Sequence, residues 1–142
     1  MSREIKFRAK TLAQDTWCYG SYFKHIKRQV SPLGDSLEEK DIEHVMIRSS
    51  FADWNMPRRI EAILVNPNTV GQYTGIRDKN GKEIYEGDIV RTDEKEKLSK
   101  VEWDEDNAGL MLIADSIMMD FSCYYPEELE VVGNIYENPE LL

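Results

Sequence analysis

Tyr73-Thr74-Gly75-Ile76-Arg77-Asp78-Lys79-Asn80-Gly81-Lys82-Glu83-Ile84-Tyr85-Glu86-Gly87-Asp88-Ile89-Val90 is the stretch on which the fold turns. Asn80-Gly81 is the strongest short-range hairpin signal a sequence carries, because both residue types tolerate positive φ. A type I′ turn there pairs Tyr73-Thr74-Gly75-Ile76 with Glu83-Ile84-Tyr85. Glu86-Gly87-Asp88 reads as a second turn and Ile89-Val90 as the lead of a further strand. Three short strands within twenty residues, each closed by turn chemistry, point to a β fold.

The same grammar continues in both directions. Downstream, a charged loop at Asp93 to Lys97 precedes Val101 and Trp103 on alternate positions. Asp104 to Gly109 reads as a turn, Leu110 to Ala114 and Ile117 to Phe121 as short buried strands, and Leu129 to Ile135 as the last one. Strands of this length, spaced by turns, suggest a small barrel or sandwich. Upstream, Ile5, Phe7 and Ala9 alternate with Lys6, Arg8 and Lys10, the period-2 pattern of a half-buried strand. Trp17 to Tyr22 forms an aromatic-rich second strand after a loop at Thr11 to Thr16. Ser31 to Asp35 is a loop. Ser36 with Glu39 matches a capping box that could open a helix, yet Val and Ile dominate Ile42 to Ile47 and favour a strand. Ile60 to Val65 is an apolar strand ended by Asn66-Pro67-Asn68, where the charge sign also changes. The expected division is a β-rich lobe over 1–65 and a barrel over 66–142.

The chain has 142 residues and a formal net charge of −9. Its 41% hydrophobic content is enough for a packed core and argues against disorder. The charge is uneven. Residues 1–65 hold 11 Lys and Arg against 9 Asp and Glu, giving +2; residues 66–142 hold 7 against 18, giving −11. A half at −11 repels phosphates within a Debye length of about 10 Å, so protein partners outrank nucleic acid. No apolar run approaches the roughly 20 residues of a membrane span, and the opening alternates charge with apolarity, unlike a signal peptide. A cytoplasmic protein is expected, with Cys18 and Cys123 as two buried free thiols.

Chemistry-bearing constellations are sparse. Asp78, Glu86 and Asp88 could converge on a divalent cation for hydrolysis, but each also sits where a carboxylate supports a turn by accepting backbone N–H bonds. His25 and His44 stand in no recognisable arrangement with either cysteine, so no zinc set or catalytic triad is indicated. No cofactor is expected. Glycines at 71, 75, 81, 87 and 133 have structural reasons in turns or bulges, and no phosphate-binding context surrounds them. Lys24, Lys27 and Arg28, with Arg58 and Arg59, are the basic clusters that could touch phosphates or an acidic surface. Tyr124-Tyr125-Pro126 reads as exposed loop and as a candidate contact surface. Most other aromatics are expected in the core.

Three motifs carry a family likeness: Val70 to Gly75, Asp78 to Val90, and the ending Val132-Gly133-Asn134-Ile135-Tyr136-Glu137-Asn138-Pro139-Glu140-Leu141. Together with the opening Arg3 to Ala9 they resemble the YopX family of phage and prophage proteins. The likeness is dense over 66–91 and 129–141 and weak over 24–60. It implies an SH3-like β-barrel in the C-terminal half, a phage or prophage origin and an uncharacterised role, with no catalytic or binding residues to transfer. The resulting expectation is a mainly β, non-enzymatic accessory or regulatory protein that binds a host or phage protein. Self-association is expected from the charge asymmetry and from open strand edges. Nucleic-acid binding through the basic N-terminal lobe and a metal-dependent hydrolase are the alternatives.

Overall fold

The computed structural model describes residues 2–50, 53–92 and 97–142. The chain is mainly β, with eleven strands and only single 3-10 turns as helical elements among the described residues. It divides into two compact units, residues 6–70 and residues 2–5 with 71–142.

In the first unit, β1 (Phe7–Lys10), β2 (Trp17–Ile26), β3 (Ile42–Ser50) and β4 (Arg59–Leu64) form an antiparallel run in the order β4-β3-β2-β1. Side-chain alternation sorts these strands into two faces. One face carries Ala9, Cys18 and Met46 into a core with Val65, flanked by Phe7, Ile63 and Val70. The helix alternative after Ser36 resolves to one 3-10 turn at Glu39–Asp41 before β3, so the strand preference there holds. The capping box belongs to Glu38 and Asp41, not to Ser36 and Glu39: the Glu38 N–H donates to Asp41 Oδ2 at 2.9 Å.

In the second unit, β5 (Gly71–Arg77) and β6 (Glu83–Tyr85) make the expected hairpin, with Tyr73 opposite Tyr85 and Arg77 opposite Glu83. Its turn is not type I′. Gly81 has φ +79° but Asn80 is not at positive φ, and the Gly81 N–H bonds to Asp78 C=O at 3.0 Å. The bend therefore runs through Lys79 and Asn80, with Gly81 alone supplying the left-handed step. A two-residue loop with both residues at positive φ does occur, at Asp115 (+49°) and Ser116 (+67°) between paired Ala114 and Ile117. Neither residue is glycine, which is why the sequence did not announce it.

β7 (Asp88–Thr92), β8 (Leu98–Asp104), β9 (Gly109–Ala114), β10 (Ile117–Asp120) and β11 (Leu129–Asn134) form a five-stranded antiparallel sheet in the order β10-β9-β8-β7-β11. Among the described residues no ladder closes this sheet into a barrel. Ile84, Val90, Val101, Leu112, Phe121 and Leu129 make the core. β10 departs from the expected buried strand: Ile117 and Met118 are exposed, because among the described residues it is the sheet's edge and pairs with β9 alone. The charged loop expected at Asp93 to Lys97 lies, apart from Lys97, outside the described residues.

Candidate functional site

The carboxylates singled out from sequence are committed to backbone. Asp78 is 5% exposed. Its Oδ1 accepts the N–H groups of Asn80 and Lys82, each at 2.9 Å, and its Oδ2 accepts the Val131 N–H at 2.9 Å. The hairpin tip is thereby fastened to β11, helped by the Lys79 N–H on Leu129 C=O at 2.9 Å. Asp88, 1% exposed, accepts the Tyr85 N–H at 2.8 Å and holds the Glu86-Gly87 turn, where Gly87 adopts φ +90°. Glu86 borders a cleft with Lys100, Glu102 and Tyr136. Burial pushes its carboxyl above the ordinary value, a Gln72 N–H bond opposes this, and the Glu102 charge adds to it. Among the described residues no three His, Cys, Asp or Glu side chains are grouped to hold a metal ion.

The basic candidates fall in two places. Arg28 is tied down: its guanidinium donates to Asp35 Oδ2 at 2.6 Å and reaches Asp41 Oδ1 at 3.0 Å. Asp35 and Asp41 are held below the usual carboxylate range chiefly by that guanidinium. Lys27 pairs with Glu43 at 3.8 Å, and Lys24 is exposed on β2. Arg58 and Arg59 are exposed at the start of β4.

Tyr124 and Tyr125 part company. Tyr124 packs against the core and its hydroxyl donates to Met119 Sδ at 3.1 Å, while Tyr125 is exposed. Cys18 is buried, with its thiol pushed up by that burial; Cys123 is exposed, against the expectation of two buried thiols. It sits in the 3-10 turn Phe121–Cys123, where Phe121 takes the buried position.

What sequence reasoning missed is the second face of the β2-β3-β4 ladder. The pairings align Phe23 with Val45 and Leu64, and Ser21 with Ile47 and Ala62, so each row shares one side of the sheet. That side is opposite the Met46 core. Phe23 is 49% exposed, Leu64 47% and Ile60 82%, with Tyr19 on the same side of β2 also exposed. The signal was present: Ile60, Ala62 and Leu64 make one side of β4 wholly apolar, while Ile63 and Val65 share the other side with Glu61. A strand of an antiparallel sheet with one face solvated carries polar residues on that face.

A family model described as YopX protein matches residues 6–142. This chain belongs to the YopX family. The family match takes in residues 24–60, where the motif likeness is weak, and reaches into both units. In fold the chain is similar to the crystal structure of protein EF1440 from Enterococcus faecalis, with TM-score 0.53 and 23% identity over 99% of each chain. At that identity the likeness speaks for the fold alone. No curated protein matches the chain. Among the described residues no helix is long and apolar enough to cross a membrane.

Proposed function

We propose that this YopX-family chain is a phage or prophage protein of the host cytoplasm that acts by binding another protein rather than by catalysis. The observation that carries the reading is one side of the N-terminal sheet, on which Tyr19, Phe23, Ile60 and Leu64 are exposed around the buried Val45. Contiguous exposed apolar surface on a folded protein marks an interaction site. The engagement of Asp78 and Asp88 with backbone N–H groups supports a non-enzymatic role, because carboxylates so placed have few lone pairs left for a cation. The charge of −11 over 66–142 favours protein over nucleic acid. The proposal includes an SH3-like reading of the C-terminal sheet, supported by five short antiparallel strands.

The test is a capture experiment from phage-infected or prophage-induced cells, with wild type and Phe23→Ser side by side. A protein retained by wild type after nuclease treatment, resistant to salt, and lost with Phe23→Ser is expected. Identical capture by both forms, or capture abolished by nuclease, would overturn the reading.

A further inference from the structure

The core of the second unit has an open end. Val101 and Leu112 sit opposite each other on β8 and β9, and both are buried. The next pair on that side of the sheet is Trp103 with Leu110, and there the cover runs out: Trp103 is 45% exposed. A cleft of about 210 Å³ lies between this pair, Phe121, and the β5 residues Gln72, Tyr73, Thr74 and Ile76. Arg3 forms its remaining wall and is its one charged residue. All of these residues belong to the same unit.

Three sets of donors line the cleft unspent. Arg3 lies across Gly75: a Cβ there would stand 3.1 Å from Arg3 Cδ and 3.2 Å from its Cγ, so the bare backbone seats the side-chain stem. Residues 66–142 hold 18 Asp and Glu, yet no carboxylate among the described residues takes the Arg3 guanidinium. Gln72 spends its main chain on Glu86, the N–H on the carboxylate and the C=O on the Glu86 N–H at 2.9 Å. Its side-chain amide, like the Trp103 indole N–H, bonds nothing among the described residues. The Thr74 hydroxyl, by contrast, is spent on Ile84 C=O at 2.8 Å.

Unspent donors beside aromatic and aliphatic walls suit a carboxylate joined to a small apolar body. A guanidinium meets a carboxylate through two parallel N–H···O bonds. Size decides the source. Metabolite- and drug-sized ligands fill about 300–1,000 Å³. A cleft of about 210 Å³ has room for roughly seven waters, or one amino-acid residue. An internal Asp or Glu would bring the carboxylate but nothing for Trp103, Leu110 and Phe121. The last residue of a chain brings both, since its carboxylate and its side chain hang on one Cα.

We propose that this cleft binds the apolar C-terminal residue of a partner protein, its carboxylate on Arg3 and Gln72 and its side chain against Trp103, Leu110 and Phe121. The charge of −11 over 66–142 sets the rest of the tail: residues preceding that end are neutral or basic, because further acids within about 8–10 Å would be repelled.

The inference rests on reading the chain as a protein-binding one, and its test uses a different surface from Phe23. The probes are the peptide acetyl-Gly-Lys-Gly-Leu with a free carboxylate and the same peptide as its C-terminal amide. Each is titrated into the 15N-labelled full chain. With the free acid, the Trp103 indole and Gln72 side-chain signals should move, with a Kd of about 1 mM or tighter. The amide should bind about tenfold more weakly, the loss of one charge-assisted pair, and Arg3→Gln should cost the free acid as much. Arg3 is exposed and unpaired among the described residues, so Arg3→Gln should keep the wild-type melting midpoint. Trp103→Ala should abolish binding; should it fail to fold, Arg3→Gln decides. No shift into the millimolar range overturns the proposal. So does equal binding by the amide, by a C-terminally amidated peptide whose carboxylate is an internal Asp, or by the Arg3→Gln chain. Phe23→Ser should bind the peptide as wild type does. Loss of peptide binding with Phe23-dependent capture intact sinks the cleft alone, whereas peptide binding with capture independent of Phe23 sinks the N-terminal face and leaves the cleft standing.

Discussion

Replacing Asp78 tests the account of the hairpin most directly. Asp78→Ala deletes three hydrogen bonds to a buried carboxylate, two within the turn and one to Val131 on β11. A hydrogen bond to a charged group contributes about 1.5–3 kcal/mol, and a buried donor left unmet costs about 1–3 kcal/mol. The Asn80 and Lys82 donors lie at the exposed tip and can turn to water, so they lie at the low end; the part-buried Val131 N–H lies at the high end. The expected loss is about 3–5 kcal/mol. With an unfolding entropy of about 2.1 cal/mol/K per residue, that is a fall in Tm of roughly 10–17 °C for 142 residues. Asp78→Asn keeps one oxygen and must turn its NH2 toward either the tip donors or Val131, donor against donor, for about 2 kcal/mol. Urea melts of the three forms, with amide exchange at Val131 as the local readout, decide the matter. Both variants should lose the same stability in chelator as without it, as expected where the carboxylate is spent on backbone N–H groups. A midpoint within about 0.5 kcal/mol of wild type for Asp78→Ala, or unchanged Val131 exchange, would refute the reasoning.

Turn chemistry yields two further expectations. Gly81→Val should cost about 1–2 kcal/mol because Gly81 holds φ +79°, whereas Asn80→Ala should be nearly neutral in thermal melts. Replacing Asp115-Ser116 with Asn-Gly should raise stability by about 1 kcal/mol, since both positions already hold positive φ; a fall in Tm would contradict the turn assignment. Burial raises the Glu86 pKa, so its contribution is present below the ordinary Glu value and is lost as pH rises through the raised one. Glu86→Gln should therefore melt above wild type near neutral pH and lose that advantage in acid, as a pH series of melts would show. Asp35 and Asp41 are depressed by Arg28, so their support is present above the ordinary Asp value and fades as pH falls through the depressed ones. Arg28→Ala should speed proteolysis between Lys27 and Asp41 at neutral pH, and less so in strong acid.

By itself the sequence determined the strand positions, the hairpin around Asn80-Gly81, the structural role open to Asp78 and Asp88, and the family. These are local properties: period-2 alternation, turn residues and short motifs act within a few residues and leave their mark in the chain. Tertiary structure decided the rest. Asp78 Oδ2 takes the N–H of Val131, fifty-three residues away, a bond that no local pattern announces. Tyr124 and Tyr125 are neighbours in sequence, yet only Tyr124 finds Met119 and the core. Arg28 looked like a surface cation until Asp35 and Asp41 closed on it. The open face of β2-β3-β4 was hidden because an apolar strand reads the same whether both its sides are covered or one. Only the pairing of Phe23, Val45 and Leu64 on the side away from Met46 separates the two cases, and pairing is a relation between distant segments that no local pattern encodes.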